Sequence, residues 1–354
     1  GYVMRVAVIG GGPAGLTAAR TAAENGLAVT LFERYRIGER INCAEGFFDL
    51  LGVCGKPETG VLFQVKKILL KINKLHLVDS TGLNLWMIDR FTWQRYLAER
   101  ARISGAKILE ETPINIANMA SIKKDFDWVI DASGVSAISL KSRGETGENR
   151  RRYALTLQYK LEGDFSNYKN TLKAVLEPCY LGYYWIFPKI ASTNGVANVG
   201  IGCFNPREKI DYKKELSCVL QEENLQDYNL LEYRGGKIPL FQVSPFFRDN
   251  ILLVGDAAGL ASPLHGGGLD MAVLSGKLAA LSLVQGEPHK YEQLLKQKIK
   301  QKMAYEKQIS YLWAKYGLNF MEKSLKAAQC FGEVNLIKGI IKTLNITQYK
   351  LLSL

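Results

Sequence analysis

Hydrophobic positions along this chain fall into short runs separated by glycine-rich turns, and the period of the runs changes from one part to the next. Residues 4–9 are almost continuously apolar, which predicts a strand covered on both faces of a parallel sheet. That run enters Gly10-Gly11-Gly12-Pro13-Ala14-Gly15. The alanine-rich stretch 16–25 then predicts a helix ended by Gly26, a residue suited to the left-handed backbone after a last turn. Residues 29–32 predict a second strand, with Glu33 at its end. Two further buried strands are predicted at 127–130, running into Asp131-Ala132-Ser133-Gly134, and at 250–254, running into Gly255-Asp256-Ala257-Ala258-Gly259. Pro263-Leu264-His265-Gly266-Gly267-Gly268 follows, and then a helix-like run over 269–284. Between these segments, residues 153–160, 172–176, 183–187 and 196–202 read as strands, several of them alternating apolar and polar side chains as a sheet with one covered face requires. Lysines recur at helical spacing over 290–315, and residues 336–354 set Leu336, Ile337, Ile340, Ile341 and Leu344 along one helical face.

The first glycine cluster has a physical logic. Gly10 allows a tight turn, Gly12 lets backbone approach a pyrophosphate, and Gly15 lets the helix lie close to the strand. The helix N-terminus, entered through Pro13 and Ala14, offers free N–H groups and a positive dipole end to phosphates. Glu33 stands where an acid accepts hydrogen bonds from a ribose. This unit binds a dinucleotide and by itself does not separate FAD from NAD. The two later segments point to FAD. A carboxylate at a strand end, Asp256, suits ribityl hydroxyls, and N–H groups opening the next helix after Gly266, Gly267 and Gly268 suit the electron-rich edge of a reduced flavin.

Composition narrows the class. At 354 residues, with 47% apolar and 23% charged side chains, the chain reads as a globular protein of roughly two to three domains. No apolar run approaches the roughly 18 residues that cross a bilayer, and the early strand argues against a secretory leader. A net charge of +12 attracts nucleic acid, anionic cofactors or anionic membrane surfaces, and its sign alone does not choose among them. Cys43, Cys54, Cys179, Cys203, Cys218 and Cys330 include no Cys-x-x-Cys pair, and His76, His265 and His289 are the only histidines. That excludes a zinc site and a dense disulfide framework, leaves one structural disulfide open, and fits a reducing cytoplasm.

In order and spacing, the three glycine segments resemble the flavoprotein family typified by p-hydroxybenzoate hydroxylase. The resemblance implies an α/β fold with an α+β substrate region: a Rossmann-like, discontinuous FAD-binding domain (1–60, 86–150 and 240–286), an antiparallel-sheet substrate-binding domain (61–85 and 151–239) and a C-terminal helical region (287–354). It also implies that Arg90, in Asp89-Arg90-Phe91-Thr92, reaches the FAD. With the residues above, the expected cofactor set is Gly10, Gly12, Pro13, Ala14, Gly15, Glu33, Arg34, Cys43, Ala44, Arg90, Ala132, Gly134, Gly255, Asp256, Gly266, Gly267 and Gly268.

Two local sequences narrow the resemblance. Gly182-Tyr183-Tyr184-Trp185-Ile186-Phe187-Pro188-Lys189 puts Tyr183, Trp185 and Phe187 on one face of a strand, an aromatic wall for a long apolar substrate that ends at Pro188. Cys43-Ala44-Glu45-Gly46 follows the basic loop of Arg34, Arg36 and Arg40. Together with the third glycine segment they resemble the geranylgeranyl reductase family over most of 4–286. The family implies saturation of isolated C=C bonds in the prenyl chains of lipids, with hydride from reduced flavin N5 and a proton from the protein. The proton donor is expected to be Cys43, with His265 and Tyr183 as the other candidates; Trp185 and Tyr183 stabilise developing positive charge, and Glu45 orders the loop. There is no second Gly-x-Gly-x-x-Gly, which leaves the reductant open among NAD(P)H docking transiently, a ferredoxin as electron-donor protein, or another carrier. A lipid substrate and the basic C-terminal stretch suggest peripheral attachment at the cytoplasmic membrane face, although helix 290–315 is read as docked on the core with its lysines in water. The alternatives are a flavin-dependent hydroxylase or halogenase of the same fold and a non-catalytic flavin lipid binder or electron carrier. Nucleic-acid binding is the weakest reading, because the lysines form no known module.

Overall fold

The computed structural model describes residues 1–49, 52–145, 153–205 and 207–329. The chain opens with β1 (Arg5–Ile9), α1 (Pro13–Glu24), β2 (Ala28–Phe32) and β3 (Gly46–Phe48). It continues through β4 (Val61–Gln64), β5 (Lys67–Lys71), β6 (Leu75–Asp79), β7 (Leu85–Ile88), α2 (Arg90–Ile103) and β8 (Lys107–Leu109). Then come α3 (Ile116–Asp125), β9 (Trp128–Asp131), α4 (Ile138–Ser142), β10 (Tyr153–Gly163), β11 (Thr171–Leu176), β12 (Gly182–Ile190) and β13 (Gly195–Cys203). The remainder is α5 (Tyr212–Glu222), β14 (Asn229–Pro239), β15 (Phe247–Arg248), β16 (Ile251–Leu253), α6 (Leu269–Val284) and α7 (Tyr291–Gln329).

The strands form three sheets. The first has the order β15-β16-β9-β1-β2-β8, parallel except for the β15–β16 hairpin. Val6, Ala7 and Val8 of β1 are wholly buried, which is why that strand shows no alternation: helices cover both faces. The alanines of α1 let it approach α6 until a Cβ added at Gly276 would stand 2.3 Å from the Ala14 carbonyl oxygen. Tyr291, opening α7, lies in the same core and donates its hydroxyl to the Leu253 carbonyl at 2.8 Å.

The second sheet has the order β14-β10-β13-β12-β11-β5-β6, antiparallel except where β11 runs with β5. Tyr184 and Ile186 of β12 point into a core with Leu216 and Val219 of α5. Tyr183, Trp185 and Phe187 therefore take the opposite face, and their rings follow one another at 5.6 and 6.5 Å. Pro188 sits in this central strand at a register shift against β13, where a missing N–H does least harm. The third sheet, β3-β7-β4, carries the segment just after Cys43-Ala44-Glu45. Its strands lie on both sides of residues 60/61 and 85/86, where the sequence reading divides the two domains.

Helix α7 is bent at Gly317 (φ 71, ψ −161), a backbone conformation open essentially to glycine alone. Beyond the bend, Leu325 and Met321 join Trp313 against the β5–β6 hairpin, and His76 pairs there with Glu322. One expectation needs correction. The lysines of 290–315 do not all face water, because Lys302 is buried with its charge paired to Glu306 one turn on. Cys43, Cys54, Cys179, Cys203 and Cys218 are free thiols, whereas Cys330 and the apolar face expected over 336–354 lie outside the described residues. Among the described residues no helix is long and apolar enough to cross a membrane.

Candidate active site

Because β16, β9 and β1 are adjacent and parallel, their carboxyl ends bring the three glycine segments to one edge. The fit there is tight. A Cβ added at Gly10 (φ +104) would lie 2.1 Å from the Ala132 carbonyl oxygen, and one at Gly15 would lie 1.9 Å from the Gly10 carbonyl oxygen. Gly255 faces Ala14, so the first and third segments also touch. Gly12 differs: nothing stands within 4 Å of where its Cβ would be. It is the N-cap of α1, and no side chain caps that helix, so N–H groups of the first turn remain for a ligand. Gly134 likewise meets open space, while Asp131 is consumed internally, accepting from Ser133 N at 3.0 Å and Ser139 N at 3.0 Å.

Glu33 accepts from Gly11 N at 3.0 Å and Tyr35 N at 2.7 Å, which fixes its carboxylate at the rim of a cavity of about 170 Å³. Gly12, Arg36, Arg40 and Arg90 share that cavity. Arg34 is exposed and does not line that cavity. Arg90 is aimed by Gln94, whose Oε1 accepts from Nε at 2.9 Å. Open space at Gly12, an uncapped helix end, a fixed carboxylate and three guanidinium groups suit an adenosine diphosphate moiety. The uncapped start of α6 at Gly268, with Asp256 3.5 Å from a Cβ placed there, suits the flavin half. The residues present therefore fit FAD.

The Cys43-Ala44-Glu45 loop is strapped across to the seven-stranded sheet. Gln158 of β10 donates to the Cys43 carbonyl at 3.1 Å and accepts from the Trp185 indole N–H at 3.0 Å. Asn198 of β13 donates to the Ala44 carbonyl at 3.0 Å and to Glu45 Oε1 at 3.2 Å. Glu45, buried and at positive φ (67), also accepts from Arg90 N at 2.9 Å and from Lys189 Nζ at 3.0 Å. Lys189 completes a triad with Asp89 at 2.7 Å. Burial pushes the Lys189 pKa down, but the two carboxylates outweigh it and hold it above its ordinary value. Glu45 thus orders the loop, and its own N–H donates to the half-buried Cys43 sulfur at 3.2 Å.

The other two proton-donor candidates are engaged elsewhere. The Tyr183 hydroxyl donates to the His265 carbonyl at 2.6 Å, and burial, with the Cys43 sulfur second, raises its pKa. His265 Nδ1 accepts from Gly267 N at 3.1 Å, which directs Nε2 to Glu306 at 3.7 Å. Phe187 lies against Gly46, and Phe48 against His265, so the aromatic wall faces the Cys43 loop and the start of the third glycine segment. Trp185 lies over Gly200, its cross-strand partner, where a Cβ would stand 2.4 Å from the indole.

Sequence reasoning missed Gln158, Asn198, Lys302 and Glu306, and it did not give Lys189 a role. The Pro188-Lys189 end of the aromatic motif carried the one available signal, a lysine where an apolar strand continues.

Residues 4–76 match the family model described as pyridine nucleotide-disulphide oxidoreductase. The chain is 30% identical over 313 residues to digeranylgeranylglycerophospholipid reductase 2 of Methanothermobacter thermautotrophicus, covering 79% of each chain. It is 28% identical over 308 residues to the digeranylgeranylglycerophospholipid reductase of Methanocaldococcus jannaschii, covering 78% of this chain and 76% of the relative. Among solved structures, a geranylgeranyl bacteriochlorophyll reductase-like protein from Thermoplasma acidophilum shares the fold at a TM-score of 0.79 and 23% identity over 92% of each chain. A flavin-dependent brominase shares it at 0.69 and 15% over 99% of each chain. The extent of the match to the first relative settles the kinship, and the chain belongs to the geranylgeranyl reductase family of flavoproteins, together with the digeranylgeranylglycerophospholipid reductases.

Proposed function

We propose that this protein saturates isolated C=C bonds of geranylgeranyl chains carried by a lipid, with FAD as its cofactor. The observation that carries the reading is the wall of Tyr183, Trp185 and Phe187 facing the strapped Cys43 loop and the start of the third glycine segment. In this reading the six-stranded sheet holds FAD, through the glycine segments, Glu33 and Arg90, and the seven-stranded sheet holds the prenyl chain. Reduced FAD supplies hydride when bound. The protein's own work is to lay an apolar chain along the aromatic faces, keep water out and deliver one proton to the second alkene carbon. Cys43 is the donor we assign, because the Tyr183 hydroxyl is bonded to the His265 carbonyl and His265 Nε2 is buried facing Glu306.

The test is anaerobic, dithionite-reduced protein mixed with a geranylgeranyl phospholipid and read by mass spectrometry. Lipid gaining pairs of hydrogens is expected, with Cys43→Ala and Cys43→Ser slowed by about a hundredfold, the usual order for a lost general acid. Unchanged lipid would end the reductase reading; unchanged rates in both variants would remove Cys43 from the proton step. Dithionite bypasses the natural reductant, NAD(P)H or a ferredoxin-like protein, so the result does not depend on which it is.

The lipid substrate is met by peripheral docking on an anionic membrane. Support comes from the net charge of +12 and from Lys315, held between the exposed rings of Tyr311 and Tyr316. Co-sedimentation with phosphatidylserine vesicles at low salt is expected, and protein that stays in the supernatant would count against docking.

A further inference from the structure

We propose that Glu306 and Lys302 of α7 are positioning residues for the flavin, acting through His265 on the loop that opens α6. This rests on the reading that the start of α6 faces FAD, and it deepens that reading by making the C-terminal helix a working part of the cofactor site.

Three charged side chains meet in the core between α6 and α7: Asp270 at 4% exposure, Lys302 at 4% and Glu306 at 5%. A helix rich in lysine has ample water-facing positions, so a buried Lys302–Glu306 pair at 2.7 Å serves no purpose of solubility. Pairs of this kind add little net stability over apolar residues of the same shape, because desolvation offsets the attraction. Their use must lie in what they hold. Glu306 Oε1 stands 3.7 Å from His265 Nε2, a buried atom without another partner.

His265 is fixed at its other end as well. Nδ1 accepts from Gly267 N at 3.1 Å, which leaves the proton on Nε2, facing Glu306. The surrounding loop is tied at every turn. Ser262 Oγ accepts from Leu264 N and His265 N, each at 3.2 Å, and Gly266 N donates to the Ser262 carbonyl at 2.9 Å. The next N–H groups belong to Gly268 and the first turn of α6, the groups that suit the flavin. The imidazole therefore connects α7 to the backbone that presents those donors. A metal-bound histidine is oriented in the same way by the acid behind it. Burial pushes Glu306 up, but His265 and Lys302 outweigh it and hold its pKa down at about 2, so the carboxylate keeps its charge at neutral pH. Asp270, in the first turn of α6, completes the cluster: burial raises its pKa and Lys302 opposes the rise.

Two double variants, made as full-length holoprotein, separate positioning from packing. Lys302→Met with Glu306→Leu replaces the pair by apolar side chains and removes the acceptor facing His265. Lys302→Met with Glu306→Gln also removes the charges but keeps that acceptor. Both should fold with a Tm near wild type. The Leu variant should bind FAD about tenfold more weakly, the order of loss expected when a buried N–H is left with no acceptor to face. Its flavin midpoint potential should shift, and the ring ¹⁵N signals of His265 should show loss of the single Nε2–H form. The Gln variant should recover all three properties. If both variants match wild type, the pair is only packing. If both lose affinity alike, the route through His265 is wrong. Wild-type protein that takes up no FAD would overturn this inference with the flavin reading. Protein that binds FAD yet leaves prenyl lipid unchanged would end the reductase reading alone.

Discussion

Gly15→Ala should yield a protein that no longer retains FAD and that melts well below wild type. The added Cβ would sit 1.9 Å from the Gly10 carbonyl oxygen and 3.2 Å from the Ala132 Cβ. The first of these is backbone in the tight turn after β1, so no side chain can swing aside to make room. Helix α1 must back away from the sheet, and its N–H groups move with it. Overpacking of this kind costs about 1–3 kcal/mol of stability. Displacing the helix end that should meet the pyrophosphate adds a loss of affinity on the order of a hundredfold, ~2.7 kcal/mol. Gly12→Ala is the informative control. Nothing in the protein lies within 4 Å of the new methyl group, so the apoprotein should melt as wild type does. FAD titration followed by flavin fluorescence should nevertheless show weakened binding, because the methyl group fills the space a phosphate needs. Normal FAD binding by Gly12→Ala would mean that this loop does not cradle the cofactor. Normal stability of Gly15→Ala would mean that the strand–helix contact is looser than drawn.

The two glycines also show why part of this protein was legible from its sequence. Turn, helix start, second strand and Glu33 are set by contacts within about thirty residues, and local spacing records them. Helix α6 runs over Leu269–Val284, the span its apolar pattern marks out, because it is covered on nearly every side. Strand β12 at Gly182 was legible because Tyr184 and Ile186 pack on one face against α5 while Tyr183, Trp185 and Phe187 take the other. Strand β14 escaped notice for the opposite reason: Leu230, Leu231 and Tyr233 are exposed on an edge, and Gly235-Gly236 reads as a turn. Strands β5 and β6 are short and begin or end on charged residues, so nothing in their period separates them from loop.

In the site, the same rule divides what was read from what was not. Aromatic wall and cysteine loop are contiguous motifs, whereas the bonds that join them span large separations. Lys189 and Glu45 are 144 residues apart, Asn198 and Glu45 are 153 apart, and no local pattern encodes either pairing. Lys302 looks like its neighbours Lys298, Lys300 and Lys307, and only the packing of α7 on α6 distinguishes it. Arg34 shows the converse: a charge placed by adjacency to Glu33 in sequence is exposed and does not line the cavity.

Lys189→Met should be the most damaging single change outside the glycine edge, costing about 3–5 kcal/mol, the usual result of removing one partner from a buried ionic cluster. Lys189 bonds to both Glu45 and Asp89, at 3.0 and 2.7 Å, and its side chain is 10% exposed. Without it two carboxylates remain at the start of α2, one of them, Glu45, on a backbone of positive φ. The pH dependence should then change sign. In wild type, burial raises the Asp89 pKa, but its bonds to Lys189 and Thr92 outweigh that and leave it below the ordinary value. A depressed folded pKa contributes stability that is present above the unfolded value, about 3.9, and is lost as pH falls through the folded one. In Lys189→Met, burial and the neighbouring Glu45 carboxylate raise Asp89 above its unfolded value. Folded protein then binds more protons than unfolded protein, so stability falls as pH rises. Urea denaturation at pH 5 and pH 8 measures this directly, and the variant should be more stable at pH 5 while wild type is not. Lys189→Arg keeps a cation in place and should recover most of the loss. A variant within about 1 kcal/mol of wild type at both pH values would show that the triad does not hold the Cys43 loop, for that is less than the usual effect of one broken buried pair. Because Glu45, Asn198 and Gln158 fix the loop carrying Cys43, the same variant should also loosen that loop, and thiol labelling of Cys43 should speed up.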